Sequence, residues 1–165
     1  MKALMSLLVA ASLSLGFSPV QAADVAPAVD SREGPPVSFY VILTPDDEST
    51  PTESPGTGRI DFTLDRKTQR ITWKGSFQGL PANSRPTGIF VRGPQTIGGE
   101  AGILFDLSPG GVRNPFEGSY QLNDGQVEYL VTGRFYVNLH TTKYPGGELR
   151  GEVRKLPPKE PVATQ

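Results

Sequence analysis

Histidine occurs once in this chain, at position 140, and the side chains that could work with it stand in the same short stretch. The run from Tyr136 to Val153 holds Tyr136, Asn138, His140, Glu148, Arg150 and Glu152. An imidazole beside a carboxylate can relay protons or ligate a metal. A metal site needs three or four converging ligands, and without a second histidine or any cysteine only carboxylates could complete one here. The densest carboxylate group, Asp46-Asp47-Glu48, lacks the ordered spacing and glycine of an EF-hand loop and reads as a solvated loop. The residue types of a Ser-His-Asp triad are present, but no GxSxG nucleophile elbow is. No catalytic, metal or cofactor residue is assigned, and the chain is read as not an enzyme.

These side chains need an element to hold them, and the sequence supplies a hairpin. Tyr136 to Thr141 alternates, Tyr144-Pro145-Gly146-Gly147 is turn chemistry, and Leu149 to Val153 alternates again. Val137, Leu139, Leu149 and Val153 then face the core, while Tyr136, Asn138, His140, Glu148, Arg150 and Glu152 share the other face. Pairing across the turn brings His140 near Glu148 or Arg150, and the latter two can pair as ions. Cross-strand polar pairs are ordinary sheet chemistry, so this face reads first as a well-specified hairpin exposed to solvent or bonded to a loop. A second patch comes from Gly88 to Pro94, where Ile89 and Val91 face inward and Phe90 and Arg92 outward. An aromatic beside an arginine suits an interface; it suits equally a sheet edge covered by the loop from Pro94 to Gly102. If any surface binds, it is the one built from Phe90, Arg92, Tyr136, Asn138, His140, Glu148 and Arg150.

The rest of the chain repeats the strand pattern. Ile60, Phe62 and Leu64 alternate with charged and polar residues, as do Ile71, Trp73 and Phe77, and Arg66–Gln69 suits the loop between them. Val37–Thr44, Thr87–Arg92, Gly102–Leu107 and Pro115–Leu122 are further strand candidates. One helix is predicted near 124–132, where Val127, Leu130 and Val131 fall at i, i+3, i+4 between an Asn123 N-cap and Gly133. Short strands punctuated by 19 glycines and 16 prolines predict an all-β fold: an antiparallel Greek-key β-sandwich of immunoglobulin-like layout, with a small closed barrel as the alternative, carrying that one short helix.

The two ends read differently. Met1-Lys2, an apolar run from Ala3 to Phe17 and small residues up to Ala22 have the layout of a secretory signal peptide over 1–22. The run is shorter than the ~20 apolar residues of a bilayer span, so no membrane anchor is expected after cleavage. Residues 23–36 read as a flexible lead-in, 37–155 as the folded domain and 156–165 as a disordered Pro-rich tail. Once Lys2 leaves, the 16 basic residues fall by one against 17 acidic ones. That near-neutral balance gives no footprint for nucleic acid.

The string Tyr136-Val137-Asn138-Leu139-His140-Thr141, followed by Pro145-Gly146-Gly147-Glu148-Leu149-Arg150-Gly151, resembles the end of the CHRD (chordin-type) domain, with its YVN-hydrophobic-HT and PGGE-hydrophobic-RG pattern. The resemblance extends from about Phe39 to Val153, with weaker matches at Thr57–Ile60, Gly79-Leu80 and Gly98-Gly99. It implies a sandwich like that of the copper/zinc superoxide dismutases. Many members carry a His-hydrophobic-His-Gly motif on a middle strand; Phe90 and Arg92 stand at those two positions here, and only His140 remains. The expectation is therefore a secreted or periplasmic, non-enzymatic module binding an extracytoplasmic protein or polysaccharide. A divergent dismutase-like metalloprotein and a structural envelope protein are the alternatives.

Overall fold

The structure is a computed structural model that describes residues 32–50, 52–96 and 99–157. The signal-peptide segment, most of the lead-in and the tail beyond residue 157 lie outside the described residues.

The described residues form nine strands and one helix: β1 (Val37–Leu43), β2 (Thr57–Asp65), β3 (Arg70–Gln78), β4 (Pro86–Arg92), β5 (Ile103–Asp106), β6 (Phe116–Gln121), α1 (Asp124–Val131), β7 (Tyr136–Thr141), β8 (Leu149–Glu152) and β9 (Arg154–Lys155). They pair antiparallel in two sheets, one ordered β6-β3-β2-β1-β9 and the other β5-β4-β7-β8. β4 and β5 leave the first sheet for the second before β6 returns beside β3. β7 then comes back beside β4. That is a Greek-key all-β sandwich, as expected.

Alternation places the core between the sheets. Phe39, Val41, Leu43, Ile60, Phe62, Leu64, Ile71 and Trp73 meet Ile89, Val91, Phe105, Val137, Leu139 and Leu149. Each such side chain fully buried stabilises the fold by roughly 1.5–3 kcal/mol. Trp73 crosses the interior to within 6.0 Å of the Phe105 ring, and its indole N–H donates to the Leu107 carbonyl, which keeps the buried dipole satisfied.

Helix α1 begins as its sequence demands. Asn123 accepts from the Gln126 N–H, and the Gln126 side chain accepts from the Asn123 N–H, a reciprocal cap that satisfies two free amide donors. Gly133 ends it at φ +71°. Its buried stripe differs from the expected one: Leu130 is buried and Val127 partly so, while Val131 is exposed, because Tyr129 packs against the core instead.

The two sheets are joined at one corner. Thr44, just past β1, bridges to Arg150 of β8 through a pair of backbone hydrogen bonds at 2.9 Å. At the neighbouring Gly151 a Cβ would run into the Ile42 carbonyl, so only glycine lets these strands approach so closely.

Candidate functional site

Strand register assembles the candidate residues in rows on the outer face of the β5-β4-β7-β8 sheet. Phe90, Asn138 and Arg150 stand opposite one another; Arg92, Tyr136 and Glu152 form the next row, and Gly88 and His140 the third. The Phe90 ring lies across Gly88, in space that any Cβ would occupy, and meets His140 edge-on at 5.1 Å. The Arg150 guanidinium stacks 3.8 Å from the centre of the Tyr136 ring, a cation–π contact.

Two loops fold over this face. From the β4–β5 connection, Gln95 and Gly99 accept hydrogen bonds from Arg150 Nη2 at 2.8 and 3.0 Å. Ala101 accepts from Arg92 Nη1 at 3.1 Å, and its N–H donates to the Tyr136 hydroxyl at 3.0 Å. From the β1–β2 connection, the Glu48 Oε1 accepts from Asn138 Nδ2 at 2.6 Å. The loops also touch each other, through Ser49 Oγ donating to Glu100 at 2.7 Å. Gly147, at φ +140°, makes the Glu48 contact possible, since a Cβ there would collide with both the Asn138 amide and the Glu48 carboxyl.

The electrostatics follow from that cover. Burial pushes the Glu48 carboxyl up from 4.5 to about 7, with Glu100 and Asp47 adding to the rise and Arg150 and Arg92 opposing it. His140 is pushed the other way, below its usual value, by burial and by Arg92, against a hydrogen bond to the Pro145 backbone. The imidazole is thus neutral at neutral pH. Three polar atoms in this region, Asn138 Oδ1, His140 Nε2 and Arg92 Nε, are buried without a hydrogen-bond partner among the described residues. Such atoms are uncommon in folded proteins.

Glu148 serves a different assembly. It is fully buried, and its carboxyl accepts from Ser54 Oγ at 2.6 Å, from Thr141 Oγ1 at 2.6 Å and, in a very short contact, from Ser84 Oγ. Thr52 Oγ1 adds a bond to the Glu148 carbonyl at 3.0 Å. One side chain thereby ties the segment before β2, the segment before β4 and the end of β7 to the hairpin turn.

The seven residues expected to form one binding surface are therefore distributed differently. Tyr136, Asn138, Glu148 and Arg150 are buried, the first, second and fourth because the two loops cover them and Glu148 because it turns into its own hydroxyl cluster. Phe90, Arg92 and His140 remain half-buried. Glu148 and Arg150, which strand spacing would allow to pair as ions, take separate partners, and the ion pairs among the described residues are Arg32–Asp124, Arg59–Asp61 and Lys74–Glu117. Glu48 is also corrected: it belongs to no fully solvated acidic loop but docks on the sheet, while Asp46 and Asp47 stay exposed. Arg92 meets the β4–β5 loop through its bond to the Ala101 carbonyl.

Sequence reasoning missed Glu48, Gln95, Ser54 and Ser84 as members of these assemblies. Each lies on a loop, where no periodicity signals contact. Gly147 and Gly151 carried a signal, since glycines flanking a strand mark close approach. Elsewhere, a groove of about 640 Å³ lies beside β3 and β6, lined by Lys74, Gly75, Leu107, Pro109, Arg113 and Phe116 among others. Among the described residues, no three His, Cys, Asp or Glu side chains are grouped to hold a metal ion.

Among known families, the CHRD domain matches the chain over residues 39–153. No curated protein and no solved structure matches the chain.

Proposed function

The chain belongs to the CHRD domain family, and we propose that it works as an exported, non-enzymatic binding module for a protein or polysaccharide outside the cytoplasm. The amino-terminal signal-peptide pattern supports export. Binding is assigned to the outer face of the β5-β4-β7-β8 sheet together with the two loops folded over it. The observation that carries this reading is the trio of buried, unpartnered atoms, Asn138 Oδ1, His140 Nε2 and Arg92 Nε, lying on the sheet face that the two loops fold over.

Affinity capture from envelope extracts tests it, with the domain from Ala23 set beside an Arg92→Ala variant of matched melting temperature. Arg92 is half-buried and bonds only a loop carbonyl through its side chain among the contacts described, so its loss spares the core. A partner retained by the native domain and lost by the variant supports the reading. Equal retention by both moves the site off this face. Stoichiometric copper or zinc in the purified protein would favour a dismutase-like metalloprotein instead.

A further inference from the structure

We propose that the β1–β2 loop is an internal stand-in for the ligand: Glu48 fills a cup that receives an acidic side chain from a peptide segment of the partner. The inference rests on the binding reading given above and names the chemistry that the same face would recognise.

The cup is cationic and the loops over it are anionic. Arg92 and Arg150 come from the sheet, with the uncharged His140 beside them; Asp47 and Glu48 come from one loop and Glu100 from the other. Glu48 is drawn toward Arg150 and Arg92 and sits on the Asn138 amide, in space kept open by Gly147. What the face already holds is thus a glutamate carboxyl delivered by the run Asp46-Asp47-Glu48-Ser49.

This occupant is held loosely. It makes one side-chain hydrogen bond to the sheet, and burial of its charge is the dominant electrostatic effect on it. It also leaves the site unfilled. Asn138 Oδ1 is an acceptor without a donor, and Asn138 is only 3% exposed. His140 Nε2 is a second such acceptor when the other ring nitrogen donates to Pro145. Arg92 Nε is a donor without an acceptor. An acidic peptide supplies what is missing: a carboxylate for the guanidiniums and main-chain N–H groups for the two acceptors. A tethered competitor acts at an effective concentration of order millimolar, so the native loop suppresses the affinity of a free one.

The test is a titration of the isotope-labelled domain from Ala23 with the capped tetrapeptide Asp-Asp-Glu-Ser at low salt and pH 6, where Glu48 of the native chain still favours its docked position and the peptide carboxyls are ionised, followed by NMR. Native protein, Glu48→Ala and Glu48→Gln are compared, each checked for an unchanged fold by its amide spectrum. Glu48→Ala should bind roughly tenfold or more tightly than the native chain, with the largest shifts at Asn138, Gly147 and Arg150. Glu48→Gln, which keeps a side chain on Asn138, should fall between them. Absence of saturable binding to Glu48→Ala overturns the proposal. Galacturonate binding as tightly as the peptide would also overturn it, because the site would then read a carboxylate on a sugar. Capture of a partner through this face without peptide binding removes this inference alone. Peptide binding without any captured partner removes the broader reading and leaves the cup.

Discussion

Replacing Glu148 with alanine should be the most damaging polar substitution in the domain. The side chain is fully buried and accepts from three hydroxyls, Ser54, Ser84 and Thr141, all of them buried as well. Removing it leaves those donors facing one another and a void. Each hydrogen bond lost with its partner stranded costs about 1–3 kcal/mol. Relief of the carboxyl's own burial offsets part of that sum. The net expectation is about 3–5 kcal/mol, at the scale found when one partner of a buried polar network is deleted. For a domain of this size that lowers Tm by roughly 10–20 °C. Glutamine keeps the shape and one carbonyl oxygen, and the hydroxyls can rotate to accept from its amide, so Glu148→Gln should cost about 1–2 kcal/mol. Urea unfolding followed by fluorescence of Trp73, the single tryptophan and a buried one, reads both. Lys74→Ala is the control, since its pair with Glu117 spans 3.6 Å between largely exposed groups and should leave stability unresolved from native. A loss below about 1 kcal/mol for Glu148→Ala would refute the reasoning, because the hydroxyl cluster would then be holding nothing.

Two further predictions follow from the loops and the corner. Gly151→Ala drives a Cβ into the Ile42 carbonyl, which backbone cannot evade cheaply; a loss of about 2–3 kcal/mol, or failure to fold, is expected from thermal melts. The Glu48 carboxyl is raised from 4.5 to about 7 when docked, so the docked loop favours the protonated form. Its stabilisation is complete below pH 4.5, falls as pH rises, and is gone above about 7. The group is partly exposed, and after solvent screening the swing should be about 1–2 kcal/mol. Glu48→Gln should flatten this part of the pH–stability curve, and a curve identical to native would refute the assignment.

The sandwich was legible because its strands obey period two. Ile60, Phe62 and Leu64, like Ile71 and Trp73, point inward as their alternation requires, and the cap residues placed α1. The hairpin signature was legible as a family mark, yet its physical meaning was not. Alternation assigned Tyr136, Asn138 and Arg150 correctly to the face away from the core, but it carries no information about what covers that face. The cover comes from loops, whose residues Glu48, Gln95, Gly99 and Ala101 bond to the sheet from far along the chain. Glu148 departed from simple alternation because the turn at Gly147 redirects it toward Ser54, Ser84 and Thr141. Much of the signature is thus scaffolding: Gly147 admits Glu48, Glu148 ties three segments, Arg150 holds the β4–β5 loop, and Gly151 closes the corner.

The most direct test of the central claim is hydrogen–deuterium exchange of the domain alone and with its captured partner. Binding through the outer face of the β5-β4-β7-β8 sheet predicts protection gained in residues 44–50 and 93–102 and around Phe90 and His140. Protection confined to the opposite sheet, beside Lys74, Arg113 and Phe116, would contradict it.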